Sequence, residues 1–405
     1  MSVIVVGAGP AGASLAFLLA RRGVEVVLLE RQTDLAREFR GEVLLPGGLE
    51  ALHQMGLASE LDSVPHVTLE RVEIYVNGRP RVRAGFDPET FGPLAPRWMS
   101  QPGLLELLVA KAGAHPSFRL ERGVTVRNLV HEDGRCVGVR VLGAAGEREL
   151  RADLVVGADG RSSVVRRRGS LREDHDATPM DVVWCKLPLP EYARHDPVLR
   201  GYLGGGHLLL AAPVYDGRLQ IAWVIRKGSF GELQERGMPT CIEEMAKHVS
   251  PDLAEHLRRH AHDSVEPFLL WTVSDRVRDW TAPGLLVIGD AAHTMSPVGA
   301  QGINIALRDA IVAANHLVPA LLATDADPAS LDAACRRVQA EREPEVAAIQ
   351  RLQARAPRIL LSRAWWARGL LRILPVLAGP DPLRGRGGAV FRRFAFGTTE
   401  VKLAV

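Results

Sequence analysis

The chain has little of what marks several large protein classes. Four cysteines in 405 residues, Cys136, Cys185, Cys241 and Cys335, stand far apart with no C-x-x-C pair. Neither a disulfide framework nor a zinc site is expected, and a cytoplasmic setting is the simplest one. The net charge of +3 is too small, and the arginines too dispersed, to call for nucleic acid. No apolar stretch reads as long enough to cross a bilayer. The N-terminus has no basic region before its apolar run, so it is not read as a signal peptide. Neither G-x-S-x-G nor H-E-x-x-H occurs, which removes the usual signs of a hydrolytic nucleophile or a metalloprotease. Repeats and low-complexity segments are also lacking.

What is present is α/β in character. Val3-Ile-Val-Val6 is a short β-branched run without polar alternation, as expected for a parallel strand buried on both faces. The turn Gly7-Ala-Gly-Pro-Ala-Gly12 follows, then a helix-like stretch from Ala13 to Arg21, stopped by Gly23. Val24 to Leu29 reads as a second strand ending at Glu30. This is one β-α-β unit carrying G-x-G-x-x-G. Gly7 permits the tight turn, Gly9 lets backbone approach a pyrophosphate, and Gly12 lets helix and strand pack closely. Glu30 lies where a carboxylate accepts the hydroxyls of an adenosine ribose and repels a 2′-phosphate. These residues predict a dinucleotide site that excludes NADP but do not separate FAD from NAD.

The middle of the chain has a different texture. His207 to Val214, Tyr215-Asp-Gly-Arg218 and Leu219 to Ile225 read as a hairpin, and Thr68 to Ala84 is similar in character. A discontinuous antiparallel domain inserted into the first is therefore expected. Leu285 to Ile288 returns to an apolar strand, and helices are expected after Gln301 and again from about Ala329. The division is then 1–70, 98–178 and 273–328 for a Rossmann-like nucleotide domain, 71–97 and 179–272 for the antiparallel substrate domain, and 329–405 for a C-terminal helical region.

Two further segments narrow the choice. One is Leu154-Val-Val-Gly-Ala-Asp-Gly-Arg-Ser-Ser-Val-Val-Arg166; the other is Gly289-Asp-Ala-Ala-His293, followed by Pro297, Gly299 and Gln301-Gly-Ile-Asn304. With the N-terminal glycines, in this order, they resemble the fingerprints of the class A FAD-dependent monooxygenases, the group of para-hydroxybenzoate hydroxylase and the ubiquinone-biosynthesis hydroxylases. The match runs to about residue 315. The resemblance implies FAD as cofactor, NADH or NADPH as transient reductant, and hydroxylation or epoxidation of an aromatic or conjugated small molecule by O2 through a flavin C4a-hydroperoxide. With no second glycine fingerprint, the nicotinamide is expected to dock transiently.

The resemblance also assigns roles. Asp290 matches the aspartate that binds a ribityl hydroxyl, next to Gly289. Gly302, Ile303 and Asn304, with Pro297 and Gly299 before them, match the loop whose N–H groups face the flavin's pyrimidine edge. Asp159 and Gly160 match a pair that serves FAD pyrophosphate and NAD(P)H, with Arg166 in the same charge network; helix capping is the competing reading for Asp159. Ala11, Arg31, Arg40, Gln101 and Val126 complete the expected cofactor contacts. His293 is a weak catalytic candidate, more often a residue that shapes its loop. Trp184, Tyr202 and Trp223 are candidates to line a substrate pocket. No polar cluster stands out in that region, which favours an apolar or conjugated substrate.

The C-terminal Ala356 to Leu377 stretch, with Trp365-Trp366 and scattered arginines, is compatible with a membrane surface, but a helix packed on the protein is the preferred reading. Rival functions are a flavin-dependent halogenase, whose W-x-W-x-I-P motif is missing here, an FAD-linked reductase, and a non-catalytic flavoprotein within a biosynthetic assembly. The oligomeric state is not legible.

Overall fold

A computed structural model describes residues 1–36, 42–176, 180–204, 207–261, 268–270, 272, 274–297, 299–360 and 392–405. Arg40 and the Trp365-Trp366 pair lie outside these residues.

The apolar N-terminal strand Ser2–Val6 sits in a six-stranded sheet, with Glu25–Glu30 on one side and Leu154–Gly157 on the other. Phe118–Arg122 and Leu285–Val287 extend it in parallel, and Thr281–Ala282 closes one edge antiparallel. The helix Pro10–Arg21 is buried from Ala11 to Ala20 and packs on helices Gln101–Gly113 and Gln301–Leu322. A helix enclosed in this way can be Ala- and Leu-rich with no polar face, as its sequence is. Gly12 is the condition for that packing: a Cβ there would lie 2.0 Å from the Gly7 carbonyl oxygen.

Above this sheet lies a seven-stranded sheet in the order Phe268–Leu270, Met180–Pro188, Arg218–Arg226, His207–Pro213, Val198–Gly204, Arg71–Val76, Arg79–Gly85. All neighbours are antiparallel except Val198–Gly204 with Arg71–Val76. The expected hairpin is present, with Gly217 in the left-handed region at its turn (φ +72°). Side chains alternate between the faces of each strand. One face, bearing Val183, Cys185, Tyr202, Leu209, Ile221 and Trp223, packs on helices Met238–Ala246 and Pro251–Arg259. The other, bearing Val182, Trp184, Leu210, Ala222 and Leu270, looks toward the nucleotide sheet.

Helix Gln301–Leu322 corrects one expectation. By length and composition it could cross a membrane, but 72% of its apolar window is buried inside the fold. Its apolarity is that of a core helix packed between Pro10–Arg21 and Pro328–Leu360. The four cysteines are all buried and free.

Candidate active site

A cavity of about 640 Å³ runs from the glycine turn to the inner face of the seven-stranded sheet. At one end it is lined by Gly7, Gly9, Ala11, Glu30, Arg31 and Val126. Gln101, Asp159 and Gly160 follow, then Asp290, Pro297, Gly302 and Ile303, and Trp184 stands at the far end. Residues from seven separated stretches of sequence are thus gathered on one surface. A shallower notch beside Arg31 and Val126 adds Arg127, Arg167 and Arg168, so the outer end is basic.

The glycine turn is built for close approach. Gly7 has φ +99°, and a Cβ there would lie 2.6 Å from the Ala158 carbonyl oxygen. No side chain caps helix Pro10–Arg21 at Gly9, which leaves its first amide groups for a ligand's phosphates. Glu30 is 4% exposed, and its carboxylate accepts the N–H groups of Ala8 (2.9 Å) and Gln32 (3.0 Å). It both closes the turn and presents a carboxylate to the cavity. Gln101 is the first residue of helix Gln101–Gly113, whose cap is the Ser100 hydroxyl accepting Gly103 N–H.

Asp159 lines the cavity, but its carboxylate caps helix Val164–Arg168. It accepts from the Ser163 hydroxyl and from the N–H groups of Val164 and Val165. Burial raises its pKa, and these hydrogen bonds offset part of the rise. The charge expected to meet the cofactor is therefore directed into a helix end. Arg166 is buried and stays out of the cavity lining. It pairs with Glu173 and donates to the carbonyls of Ala291 and Arg161 (3.1 and 2.8 Å), tying the first aspartate motif to the second.

The loop before helix Gln301–Leu322 is held by its neighbours. Ala300 adopts a left-handed conformation (φ +53°), a strain of about 1–2 kcal/mol for a non-glycine residue. Gly299, at φ +79°, lies against Phe394, where a Cβ would come 2.1 Å from the ring. Gln301 donates to the Phe394 carbonyl (2.8 Å). Asn304 does not line the cavity; its side chain accepts Leu45 N–H (2.8 Å) and donates to the carbonyls of Val43 and Ala300. Gly12, Gly289 and Gly299 likewise act behind the surface rather than on it. Gly289 at φ +59° gives close passage past Ala11.

Two expectations are corrected. Tyr202 and Trp223 face the opposite side of the sheet from the cavity. Tyr202 stacks on Tyr75 and hydrogen bonds Ser250, and Trp223 donates to His207. A strand's two faces differ by one residue, and Trp184 is on the cavity face. His293 is 1% exposed and outside the cavity; its Nε2 meets Asp309 Oδ2 at 2.7 Å and its ring lies against Trp280. It shapes the loop that carries Asp290.

The structure also adds residues that motif reading missed. Asp309 Oδ2 accepts Gly289 N–H (3.0 Å), and Asp309 Oδ1 accepts Arg342 Nε (2.8 Å). Arg342 pairs with Glu345, which is also held by Arg308 through two hydrogen bonds. Glu345 accepts Thr398 N–H as well, so the C-terminal residues dock on this network. Burial alone would raise Asp309 and Glu345; the neighbouring His293, Arg342 and Arg308 outweigh it and hold both carboxyls below their ordinary values. At the sheet end, Glu42 lines the cavity and accepts from Trp98 Nε1 (3.1 Å) and the Tyr215 hydroxyl (3.0 Å). Burial pushes its proton affinity up despite those bonds. Gln220 and Thr272 stand beside it in the lining, so the sheet end is more polar than the sequence suggested.

The residues fit FAD. The donor set is a glycine cradle that any Cβ would fill, an uncapped helix start, a ribose-type carboxylate and a basic outer end. Residues 1–351 match the profile of an FAD binding domain, past the point where the motif resemblance ends. The chain is 33% identical over 404 residues to 6-methylpretetramide 4-monooxygenase of Streptomyces rimosus, covering 99% of this chain and 93% of that one. It is 28% identical over 334 residues to squalene monooxygenase 1,2 of Brassica napus, covering 78% and 61%. Among solved structures it resembles PqsL of P. aeruginosa in complex with 2-aminobenzoylacetate, with a TM-score of 0.78 at 23% identity over 92% and 99% of the two chains. The chain belongs to the class A FAD-dependent monooxygenases.

Proposed function

We propose that this monooxygenase hydroxylates an extended phenolic aromatic molecule, with NADH or NADPH as reductant. The observation that carries the reading is the continuity of one cavity from Gly7 and Glu30 to the inner sheet face at Trp184 and Gln220. The Streptomyces rimosus relative, named for its action on 6-methylpretetramide, supports an aromatic substrate of that breadth.

In this reading Gly7, Gly9, Ala11 and Gly12 bring backbone to the FAD pyrophosphate, and Glu30 holds the adenosine ribose. Arg31 and Val126 flank the adenine end, and Gln101 and Gly160 wall the phosphates. Asp290 accepts a ribityl hydroxyl, and Pro297, Gly302 and Ile303 border the flavin ring. When bound, FAD accepts hydride and activates O2. The protein's own part is to hold the aromatic ring over that cofactor and to exclude water. Met295, Pro297 and Ile303, apolar residues of the lining, serve that exclusion. The amide groups at the start of helix Gln301–Leu322 favour negative charge beside Gly302 and Ile303.

The two sheets support a division into a nucleotide unit and a substrate unit, the latter drawn from 71–97 and 179–272. The free, buried cysteines support a reducing, cytoplasmic setting. The test is an absorbance spectrum of the purified holoprotein before and after NADH or NADPH in air. Flavin bands that bleach, with oxygen uptake rising on addition of a polyphenol, support the proposal. Bound flavin that neither nucleotide reduces, with or without polyphenol, overturns it and turns attention to a halogenase.

A further inference from the structure

The centre of the cavity face of the seven-stranded sheet is apolar, with Val182, Leu208, Leu210, Ala222 and Val224, and Lys186 at its margin is turned to Asp216. Two polar atoms interrupt the apolar face. Trp184 Nε1 and Gln220 Oε1 are both buried and have no hydrogen-bond partner among the described residues, and both residues line the cavity. Strands Met180–Pro188 and Arg218–Arg226 pair with Trp184 opposite Ala222 and Lys186 opposite Gln220. Trp184 and Gln220 are therefore diagonal neighbours on one face, within reach of a single molecule.

Buried polar atoms are nearly always paired, because an unpaired one has lost water without replacement. Two orphans side by side in a cavity wall imply that a ligand completes them. The chemistry of each fixes what the ligand carries. An indole N–H is a donor only, and a carboxamide oxygen is an acceptor only. We propose that Trp184 Nε1 and Gln220 Oε1 form a two-point polar clamp that selects an oxygenated aromatic substrate. Its carbonyl or phenolate oxygen meets Trp184, and its hydroxyl or N–H meets Gln220. Turning the Gln220 amide over would present N–H in place of oxygen, and a hydrocarbon would satisfy neither form. The clamp separates this enzyme from relatives named for squalene, whose substrate has no oxygen to offer. The inference rests on the cavity being the flavin and substrate site.

The experiment titrates FAD-loaded enzyme with alizarin, a hydroxylated anthraquinone, and with anthracene, its unsubstituted tricyclic hydrocarbon. Flavin absorbance changes report binding, and the flavin content of each protein is measured first. Alizarin is expected to bind roughly tenfold tighter than anthracene, and Trp184→Phe and Gln220→Leu each to weaken alizarin by about fivefold or more. Anthracene, which makes no use of the clamp, should bind both variants as well as the parent or better. That internal control shows the pocket intact in each variant. Equal binding of the two probes to the parent overturns the clamp, as does alizarin affinity unchanged in both variants. Protein that takes up no FAD overturns the underlying site reading instead, so the two failures are distinguishable.

Discussion

Arg342→Met is the perturbation whose consequences the structure defines most fully. Arg342 is wholly buried, bonds Asp309 Oδ1 through Nε at 2.8 Å, and pairs with Glu345. Methionine keeps much of the length and removes the charge. Glu345 then keeps Arg308 as its guanidinium partner, while Asp309 is left with His293 and the Gly289 N–H. Breaking one side of a buried pair costs about 3–5 kcal/mol, because a charge is left without its partner. With an unfolding entropy of about 2.1 cal/mol/K per residue over 405 residues, that corresponds to a Tm lower by roughly 4–6 °C. The sign of the pH dependence follows from the carboxyls. Asp309 and Glu345 are held below their ordinary values in the folded protein. Their contribution is therefore complete above the ordinary carboxylate range and is lost as pH falls through their folded values. Without Arg342 that depression shrinks, so the deficit of the variant is full at neutral pH and narrows in acid. Asp309 also fixes Gly289 and His293, either side of Asp290, so FAD retention should fall with stability. Thermal melts at neutral pH and near pH 4, with flavin content after gel filtration, test this. A neutral-pH melt within 1 °C of the parent, or a deficit that widens in acid, would refute the reasoning.

Other perturbations separate competing effects. Gly12→Ala gains about 1 kcal/mol of helix propensity, but its Cβ would fall 2.0 Å from a backbone oxygen. The turn must open, and flavin retention measured by absorbance should drop; equal retention with a higher melting point would contradict this. Asp290→Ala should lose FAD affinity with the circular dichroism of the folded protein preserved, and full flavin content would sink the ribityl assignment. Glu42→Gln should stabilise the protein above the ordinary carboxylate range and be neutral in acid. Burial raises the folded pKa of Glu42, so its ionisation opposes folding as pH rises. The Tyr215 hydroxyl can reverse to accept from the new amide, and paired melts at acidic and neutral pH would detect the difference.

Local chemistry was legible and tertiary chemistry was not. The first β-α-β unit could be read because Gly7, Gly9, Gly12 and Glu30 act within thirty residues on the backbone beside them. The hairpin at Asp216-Gly217 was equally local. Which aromatic faced the cavity was not, because alternation gives two faces without naming the inner one. Trp184 and Trp223 lie on adjacent strands and point to opposite sides. The Arg308–Asp309–Arg342–Glu345 network was hidden for another reason: charged residues in helical sequence ordinarily lie on the surface. One signal was available, since Arg308-Asp309 interrupts an otherwise apolar stretch from Ile305 to Ala314. The contact of Glu42 with Trp98 and Tyr215 joins residues 56 and 173 positions apart, and no spacing rule reaches that far.

The most direct test of the account is isotope transfer from labelled dioxygen. FAD-loaded enzyme, NADH or NADPH and a polyphenol accepted by the cavity are incubated under the labelled gas, and the product is weighed by mass spectrometry. The account predicts a product carrying one labelled oxygen atom, with one reduced nicotinamide consumed for each oxygenated molecule. Oxidised nicotinamide and hydrogen peroxide with no label in any organic product, across a panel of phenols that bind, would contradict it.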